Sequence, residues 1–323
     1  MAERTTARTT APTSTRSTGP EQAPEFEQGS ELVAQVVAWF RASARDLPWR
    51  RPDATPWAVM VSEFMLQQTP VSRVLPVYEA WLKRWPTPAA LAAEPVGEAV
   101  RAWGRLGYPR RAQRLHAAAT AIEAEFDGIV PDTYEDLWSL PGVGEYTAGA
   151  IASFAYKKRH IVLDTNVRRV LSRTVSAVEY PAPATTPGDR RIATALLPAR
   201  AEDAAEWAAA SMELGAVVCT ARAPRCDECP VAALCSWVAA GKPAYDGPPR
   251  RGQTYEGTDR QARGRLLAVL RDTHGAVARG ELEAAWTRDV VQRERALASL
   301  VADGLVVVVE EGETEGELYA LAH

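Results

Sequence analysis

The sequence predicts an all-α body followed by a small C-terminal α+β module. From Ser30 to residue 238, apolar residues recur at helical spacing with almost no strand-like alternation. After Gly304 the pattern changes to two short apolar runs separated by GETEG, which predicts a hairpin. Three helices, expected near 263–273, 280–286 and 290–303, precede the hairpin. These elements fit a winged-helix module, and they fit a generic α+β cap equally well.

The helical body is expected to follow a disordered tail. Residues 1–29 form a Thr/Ala/Arg/Pro tract without apolar periodicity, so they cannot bury enough surface to offset their ordering entropy. A helix then starts with Ser30 as its N-cap. Thr55-Pro56 and Thr69-Pro70 each look like an N-cap followed by proline, which predicts a helix over about 56–68 and the start of the next.

Two segments rich in proline and glycine interrupt the helical pattern. Residues 175–190 are expected to form a loop, and residues 239–262 a linker to the terminal module. A chain of 323 residues has room for two or three domains. The linker therefore predicts where the last of them begins.

Composition and charge narrow the functional classes. No run approaches the roughly 18 apolar residues of a membrane span, and the N-terminus lacks an apolar export signal, which predicts a cytoplasmic protein. The net charge of −4 arises in residues 251–323, where 13 acids face 9 bases, whereas residues 1–250 contain 28 of each. A nucleic-acid partner would therefore meet the helical body and not the acidic terminal hairpin. The local basic clusters that can serve phosphates are Arg105, Arg110, Arg111 and Arg114, then Lys157, Lys158 and Arg159, then Arg168, Arg169 and Arg173.

A glycine-rich turn between two predicted helices is a candidate phosphate site. The string LPGVG contains Gly142, Val143 and Gly144 and is followed by the helical EYTAGAI. Glycines allow the turn to expose its amide N–H groups, and those amides together with the positive helix N-terminus bind anions. The string therefore predicts contact with a DNA phosphate that needs no lysine.

All four cysteines lie within one short segment, which indicates a metal site and not a disulfide framework. They are Cys219, Cys226, Cys229 and Cys235. Four thiolates can hold either a tetrahedral zinc ion or a [4Fe–4S] cube. Structural zinc sites usually present two C-x-x-C pairs, whereas only one is present here, so the spacing mildly favours the cluster.

Two carboxylates stand out. Glu63 lies in an otherwise apolar helix, where an acid loses solvation and its pKa rises. Asp164 follows the apolar segment Ile161-Val162-Leu163 at a break before the next helix, where it also suits an N-cap.

Four motifs together resemble the adenine DNA glycosylase (MutY) branch of the helix-hairpin-helix, endonuclease III-like superfamily. They are LPGVGxYTAGAI, SEFMLQQT (62–69), DTNVRRV (164–170) and the four cysteines, and the resemblance covers about residues 31–238. It implies an N-terminal helix in 30–54 that packs with a cluster domain, a six-helix domain over 55–163 with the hairpin at 134–156, and a cluster domain over 164–238. It also implies a [4Fe–4S] cofactor held by the cysteines.

The resemblance further implies roles for individual residues. Glu63 would protonate adenine at N7, Asp164 would stabilise the sugar cation or add to it, and Tyr146 and Asn166 would touch the reacting nucleotide. The implied adenine pocket consists of Arg45, Trp49, Arg50 and Glu213. The residues that would enter the duplex and meet the base opposite adenine are Gln68, Thr69, Leu106 and Tyr108. Because relatives that cleave the strand have lysine where this chain has Tyr146, it is expected to be a monofunctional glycosylase acting as a monomer on double-stranded DNA.

The sequence also departs from the pattern of the family. Most members carry a C-terminal Nudix-like domain that reads 8-oxoguanine, but only about 60 residues follow the linker here. Adenine opposite 8-oxoguanine or guanine is the expected target. The alternatives are a mismatch thymine or uracil glycosylase and a noncatalytic iron–sulfur DNA-binding protein.

Overall fold

The helical body predicted from the sequence is present in the computed structural model, which describes residues 25–247, 255–309 and 317–323. Most of the predicted tail therefore lies outside the described residues. The helices of the body are α1 Glu25–Ser43, α2 Pro56–Leu66, α3 Val71–Arg84, α4 Pro88–Ala92, α5 Val96–Trp103, α6 Arg110–Glu125, α7 Tyr134–Ser139, α8 Glu145–Tyr156, α9 Thr165–Thr174, α10 Pro187–Ala195, α11 Ala201–Val217 and α12 Ser236–Ala239. In the described ranges, no helix has the length and apolar character that crossing a bilayer demands.

The body differs from the expectation at three helix starts. Helix α1 begins at Glu25, so the expected N-cap at Ser30 is wrong and Ser30 lies inside the helix. The sequence before Ser30 carries no apolar periodicity that could mark this earlier start. Thr69 does not cap α3, since its hydroxyl donates to the carbonyl of Leu106 at 3.2 Å and Pro70 takes the cap position. The predicted loop 175–190 is shorter, because Thr186 and Asp189 form a reciprocal capping box that starts α10.

Seven helices, α2–α8, occupy residues 55–163 where six were expected, and α4 is the shortest of them. Thr55 caps α2 by accepting the N–H of Ala58 at 3.1 Å, as the Thr-Pro pattern predicts. Helix α2 lies at the centre, packed against α3, α6 and α8. Helix α1 packs on α11, and α11 packs on α9, so the first helix joins the second half of the body.

The described residues of the terminal module form three helices and three strands. They are α13 Asp259–Asp272, β1 Val277–Ala278, α14 Arg279–Ala285, α15 Val290–Ala302, β2 Val306–Val309 and β3 Leu318–Leu321. The sheet is antiparallel in the order β1-β3-β2, with Val308 opposite Tyr319. This order of elements is that of a winged helix. Helix α13 begins before the predicted end of the linker because Thr258 caps it, and GETEG lies outside the described residues.

The terminal module is fixed to the body and shares its apolar core. Trp103 of α5 and Leu266 of α13 belong to one buried cluster. The guanidinium of Arg101 donates to the carbonyls of Leu270 at 3.1 Å and Thr273 at 2.8 Å, at the end of α13. Helix α5 also lies so close to the sheet that a Cβ on Gly97 would be 2.4 Å from the carbonyl oxygen of Ala322.

Candidate active site

Glu63 is buried at the centre of the body. It lies on α2, in a run in which every residue from Trp57 to Met65 is buried, and only 6% of Glu63 is exposed. The hydroxyl of Tyr146, on the second residue of α8, donates a hydrogen bond to the Glu63 carboxylate. The packing of α2 against α8 therefore brings together two of the residues that the motifs predicted as catalytic.

Asp164 is an N-cap and also a neighbour of Glu63. Its Oδ1 accepts the backbone N–H of Val167 at 2.7 Å, which starts α9, and its Oδ2 accepts the side-chain amide of Asn166 at 2.7 Å. The Asp164 carboxylate is close enough to Glu63 to interact with it electrostatically. Asp164 therefore both caps α9 and lies close to Glu63.

The surroundings of Glu63 favour its protonated form. Burial raises the pKa of Glu63 to about 7, and the charge of Asp164 adds to the increase, while the Tyr146 hydrogen bond and Arg50 oppose it. Burial also raises the pKa of Tyr146 well above its ordinary value, so this residue remains a phenol that donates. Glu63 can therefore donate a proton near neutral pH, and the carboxylate of Asp164 lies nearby.

Three of the four expected pocket residues form one ion cluster. The carboxylate of Glu213, on α11, is fully buried and accepts Arg45 at 2.6 Å and Arg50 at 2.9 Å. Burial alone would raise the pKa of Glu213, but the two guanidiniums outweigh it and lower that pKa to about 2. Trp49 instead packs edge-to-face on Tyr78 at 5.1 Å in the apolar core, so the structure gives it a packing role.

The glycine-rich turn connects α7 to α8. Gly142 has φ +78°, and a Cβ there would lie 2.5 Å from Arg114. Gly144 is the N-cap of α8, and Val143 is buried beneath the turn. Within the described part of the chain, the N–H groups of Gly142 and Gly144 have no backbone acceptor. The exposed amides leave the turn able to bind an anion.

The four residues expected to enter the duplex divide into two pairs. Gln68 and Tyr108 are exposed and have φ +55° and +47°, a left-handed conformation that is uncommon outside glycine. Leu106 and Thr69 are instead 4% and 6% exposed. They lie in the core because the hydroxyl of Thr69 binds the Leu106 carbonyl and joins the two loops.

Arg111 holds these loops, a role that sequence reasoning missed. Its charge predicts a phosphate contact, but Arg111 is only 5% exposed. Its guanidinium donates to the carbonyls of Phe64 at 2.9 Å, Gln67 at 2.7 Å and Gly107 at 3.0 Å. Its place on the apolar face of α6, one turn before buried Leu115, is the signal that could have identified it.

The basic cluster on α9 is also buried. Arg168, Arg169 and Arg173 are at most 7% exposed, so the expected phosphate contacts there are wrong for the free protein. Arg169 donates to the side-chain carbonyl of Asn166 at 2.9 Å and to the backbone carbonyl of Cys219 at 2.7 Å. It therefore bridges the Asp164 loop to the cysteine segment. The second basic run is partly engaged too, since Lys158 pairs with Asp132 at 2.9 Å.

The four cysteines line one cavity, and none of them forms a disulfide. The guanidinium of Arg173 donates to the Sγ of Cys219 at 3.3 Å, and so places a positive charge beside sulfurs that carry negative charge when they bind metal. Four sulfurs around one space, balanced by a buried cation, fit a metal cluster.

Family models match both parts of the site. Residues 61–187, which include Glu63, Tyr146 and Asp164, match the HhH-GPD superfamily base excision DNA repair protein. Residues 219–235, from the first to the last cysteine, match the iron–sulfur binding domain of endonuclease III.

Whole-chain relatives agree with these matches. A protein of Mycobacterium tuberculosis (strain CDC 1551 / Oshkosh) named adenine DNA glycosylase is 54% identical over 277 residues, 86% of this chain and 90% of that protein. A protein of Mycolicibacterium smegmatis with the same name is 52% identical over 278 residues, covering 86% and 93%. The solved structure of a thermostable thymine-DNA glycosylase covers 68% of this chain and all of its own, with a TM-score of 0.60. At 22% identity, that likeness shows the fold alone.

Proposed function

Because the chain belongs to the adenine DNA glycosylase family, we propose that it removes adenine opposite 8-oxoguanine or guanine in double-stranded DNA. The chain is a DNA N-glycosylase of base excision repair. We propose that it acts as a monomer on nucleoid DNA in the cytoplasm. The observation that carries the proposal is buried Glu63, which holds a proton near neutral pH beside Asp164 and Tyr146.

The reaction needs an acid at one end of the bond and a negative charge at the other. Breaking the N-glycosidic bond of adenine develops negative charge on the base and oxocarbenium character at the sugar C1′. Enzymes that cleave glycosides use two carboxyl groups for these two sites, one as the acid and one as the negative charge. In the proposed mechanism, Glu63 donates its proton to adenine N7 while the bond breaks. Asp164 stabilises the cation until a water molecule adds to C1′ and gives its proton to the Glu63 carboxylate. Tyr146 orients Glu63 through its hydrogen bond. Asn166 orients Asp164 at 2.7 Å.

Arg50 is the proposed adenine contact of the ion cluster. Glu213 is fully buried and saturated by its two arginines, so its contribution is to hold them in place. One nitrogen of Arg50, Nη1, is buried with no hydrogen-bond partner in the described part of the chain. A buried donor without a partner costs free energy, and an acceptor nitrogen of an extruded adenine would satisfy it.

The proposed reaction cleaves the N-glycosidic bond, releases the base and leaves the DNA strand intact. A lyase needs an amine that attacks C1′ and forms a Schiff base. Tyr146 occupies the hairpin position, and a phenol cannot form that adduct. We therefore propose monofunctional hydrolysis.

A substrate panel tests the proposed specificity. Single-turnover base release should be measured on duplexes with A opposite 8-oxoguanine, G or C, and with T or U opposite G. We expect adenine release from the first two duplexes and no adduct after borohydride treatment. Release of T but not A would instead identify a mismatch thymine glycosylase. A protein that binds all duplexes and releases no base would be a DNA-binding protein without this activity.

The four cysteines hold a [4Fe–4S] cluster. Bound there, the cluster is proposed to stabilise the segment from Cys219 to Cys235 and its docking on DNA, and it takes no part in excision. Replacing Cys226 by Ser should remove the brown colour and most of the iron and inorganic sulfide, because a cubane needs all four ligands. Ser236→Ala, beside Cys235, should leave the metal content unchanged. Stoichiometric zinc in a colourless wild-type protein would contradict the assignment.

A further inference from the structure

A basic cleft separates the body from α13 of the terminal module. Its volume is about 1100 Å³, and its walls include Gln68, Arg105, Tyr108 and Arg114 from the body and Arg260 and Arg265 from α13. Neither Glu63 nor Asp164 lines it. The cleft therefore includes the two exposed residues expected to meet the opposite base and excludes the two carboxylates.

The lining of the cleft is positively charged, although the module as a whole is acidic. Among the described residues, ten arginines line it, and Asp272 is the single acid. Some of these arginines are engaged, as Arg110 and Arg263 both pair with Asp303. Five are exposed and pair with no carboxylate in the described ranges: Arg73, which donates to the carbonyl of Arg105, and Arg105, Arg114, Arg260 and Arg265. Free guanidiniums on both walls suit a phosphate backbone.

Arg260 directly contacts the loop that carries Tyr108. Its guanidinium lies 4.5 Å from the centre of the Tyr108 ring, and that of Arg111 lies 5.6 Å from the same ring. Tyr108 is therefore held between a cation of the body and a cation of the module, although its φ of +47° is unfavourable. Through Arg260, the module therefore touches Tyr108, the residue predicted to contact the opposite base.

The position of α13 is fixed by its attachment to the body. Arg271 of α13 donates to the carbonyl of Val100 at 2.9 Å, and Gln113 of α6 donates to the carbonyl of Gly304 at 2.7 Å. Because these bonds lie beside a shared apolar core, the two walls of the cleft keep their spacing. A preformed groove binds a strand without first ordering its own walls.

We propose that α13 forms the second wall of the DNA groove, where Arg260 and Arg265 bind phosphates of the strand opposite adenine. This inference rests on the proposed function, because it uses the assignment of Gln68 and Tyr108 to the opposite base. Apart from Asp272, the described acidic residues of the module do not line the cleft, and Asp259, for example, pairs with Arg295 at 2.7 Å. The module thus meets DNA through α13 and not through its hairpin.

The salt dependence of binding tests the two arginines. Equilibrium binding to a duplex with A opposite 8-oxoguanine should be measured against salt concentration in the inactive Glu63→Gln background. Arg260→Ala and Arg265→Ala should each lower the slope of log K against log salt by about 1, as expected for one lost phosphate contact. Arg265→Lys, which keeps the charge, should retain the slope. Arg288→Ala removes a module arginine that does not line the cleft and should also leave the slope unchanged.

Methylphosphonates identify the strand. Methylphosphonate linkages are uncharged, so placing them near the 8-oxoguanine should weaken binding by the Glu63→Gln protein. This loss of affinity should be smaller when Arg260 and Arg265 are both replaced by Ala. Methylphosphonates in the adenine strand should reduce the affinity of both proteins equally. Coupling to the adenine strand alone, or unchanged salt slopes in folded Ala variants, would overturn the proposal. The proposed function fails separately, through absence of adenine release by the wild type in the substrate panel.

Discussion

Replacing Glu63 by Gln is expected to reduce single-turnover release of adenine by about 10²–10⁴-fold or more, the usual contribution of a general acid. Glutamine keeps the size of the side chain, and its carbonyl can still accept the Tyr146 hydroxyl, but it has no proton to donate. Excess enzyme over a duplex with A opposite 8-oxoguanine isolates the chemical step. Adenine release at the wild-type rate would remove Glu63 from the mechanism.

The pH profile gives a second measure of the same group. Only protonated Glu63 acts as the acid, and its pKa is about 7 in the free protein. The second-order rate constant, which reports the free protein, should therefore be high below pH 7 and fall above it. The Glu63→Gln protein should show no such decrease in its residual rate.

Measuring the free energy of unfolding of the Glu63→Gln protein distinguishes a loss of catalysis from a folding defect. The pKa of Glu63 is raised from 4.5 to about 7, so the folded state binds more protons than the unfolded state between these pH values. The free energy of unfolding therefore falls as pH rises through this window, by about 3 kcal/mol in total. Glu63→Gln should avoid this loss and unfold at a higher denaturant concentration than wild type at pH 8. A less stable variant at pH 8 would contradict the burial argument.

Replacing Asp164 by Asn is expected to lower adenine release by about 10²–10³-fold, the usual cost of one preorganised electrostatic contact at the transition state. Asparagine caps helices as well as aspartate does, so it can still accept the N–H of Val167 and start α9. What it loses is the negative charge near the developing cation, together with the hydrogen bond from Asn166.

A matched alanine variant separates the structural role of Asp164 from its chemical role. Asp164→Ala removes both the cap and the charge, and should be about 1 kcal/mol less stable than Asp164→Asn in denaturant melts. Both variants should be equally slow in single-turnover assays. If Asn instead retained the wild-type rate while Ala was slow, the N-cap alone would explain the importance of this residue.

Local patterns predicted most of the helices and failed where contacts between distant residues decided the structure. Thr55-Pro56 marked the start of α2 because capping and proline preference act within one turn. Thr69-Pro70 offered the same signal and was wrong, since Thr69 binds a carbonyl 37 residues away. Strand β1 has only two residues, too few for an alternation to be recognised, and it exists because β3 pairs with it.

The candidate site shows the same division. The carboxylates Glu63 and Asp164 could be predicted from their residue types within apolar and capping contexts. Helical spacing marks Arg111 as a residue of the buried face of α6, but its acceptors could not be predicted, because they include Phe64 and Gln67 on another element. Charge counts alone misassigned three arginines of α9 as phosphate contacts for the same reason.

The sequence by itself determined the chemistry that this protein can perform: two carboxylates, a tyrosine in place of a lysine, a glycine turn and four clustered cysteines. Residue identity and spacing of a few positions carry that information. Only the tertiary structure decided that Glu63 is buried enough to keep its proton, and that α13 lies against the Tyr108 loop. Desolvation and contacts between distant elements depend on how whole helices pack, and no local pattern encodes that packing.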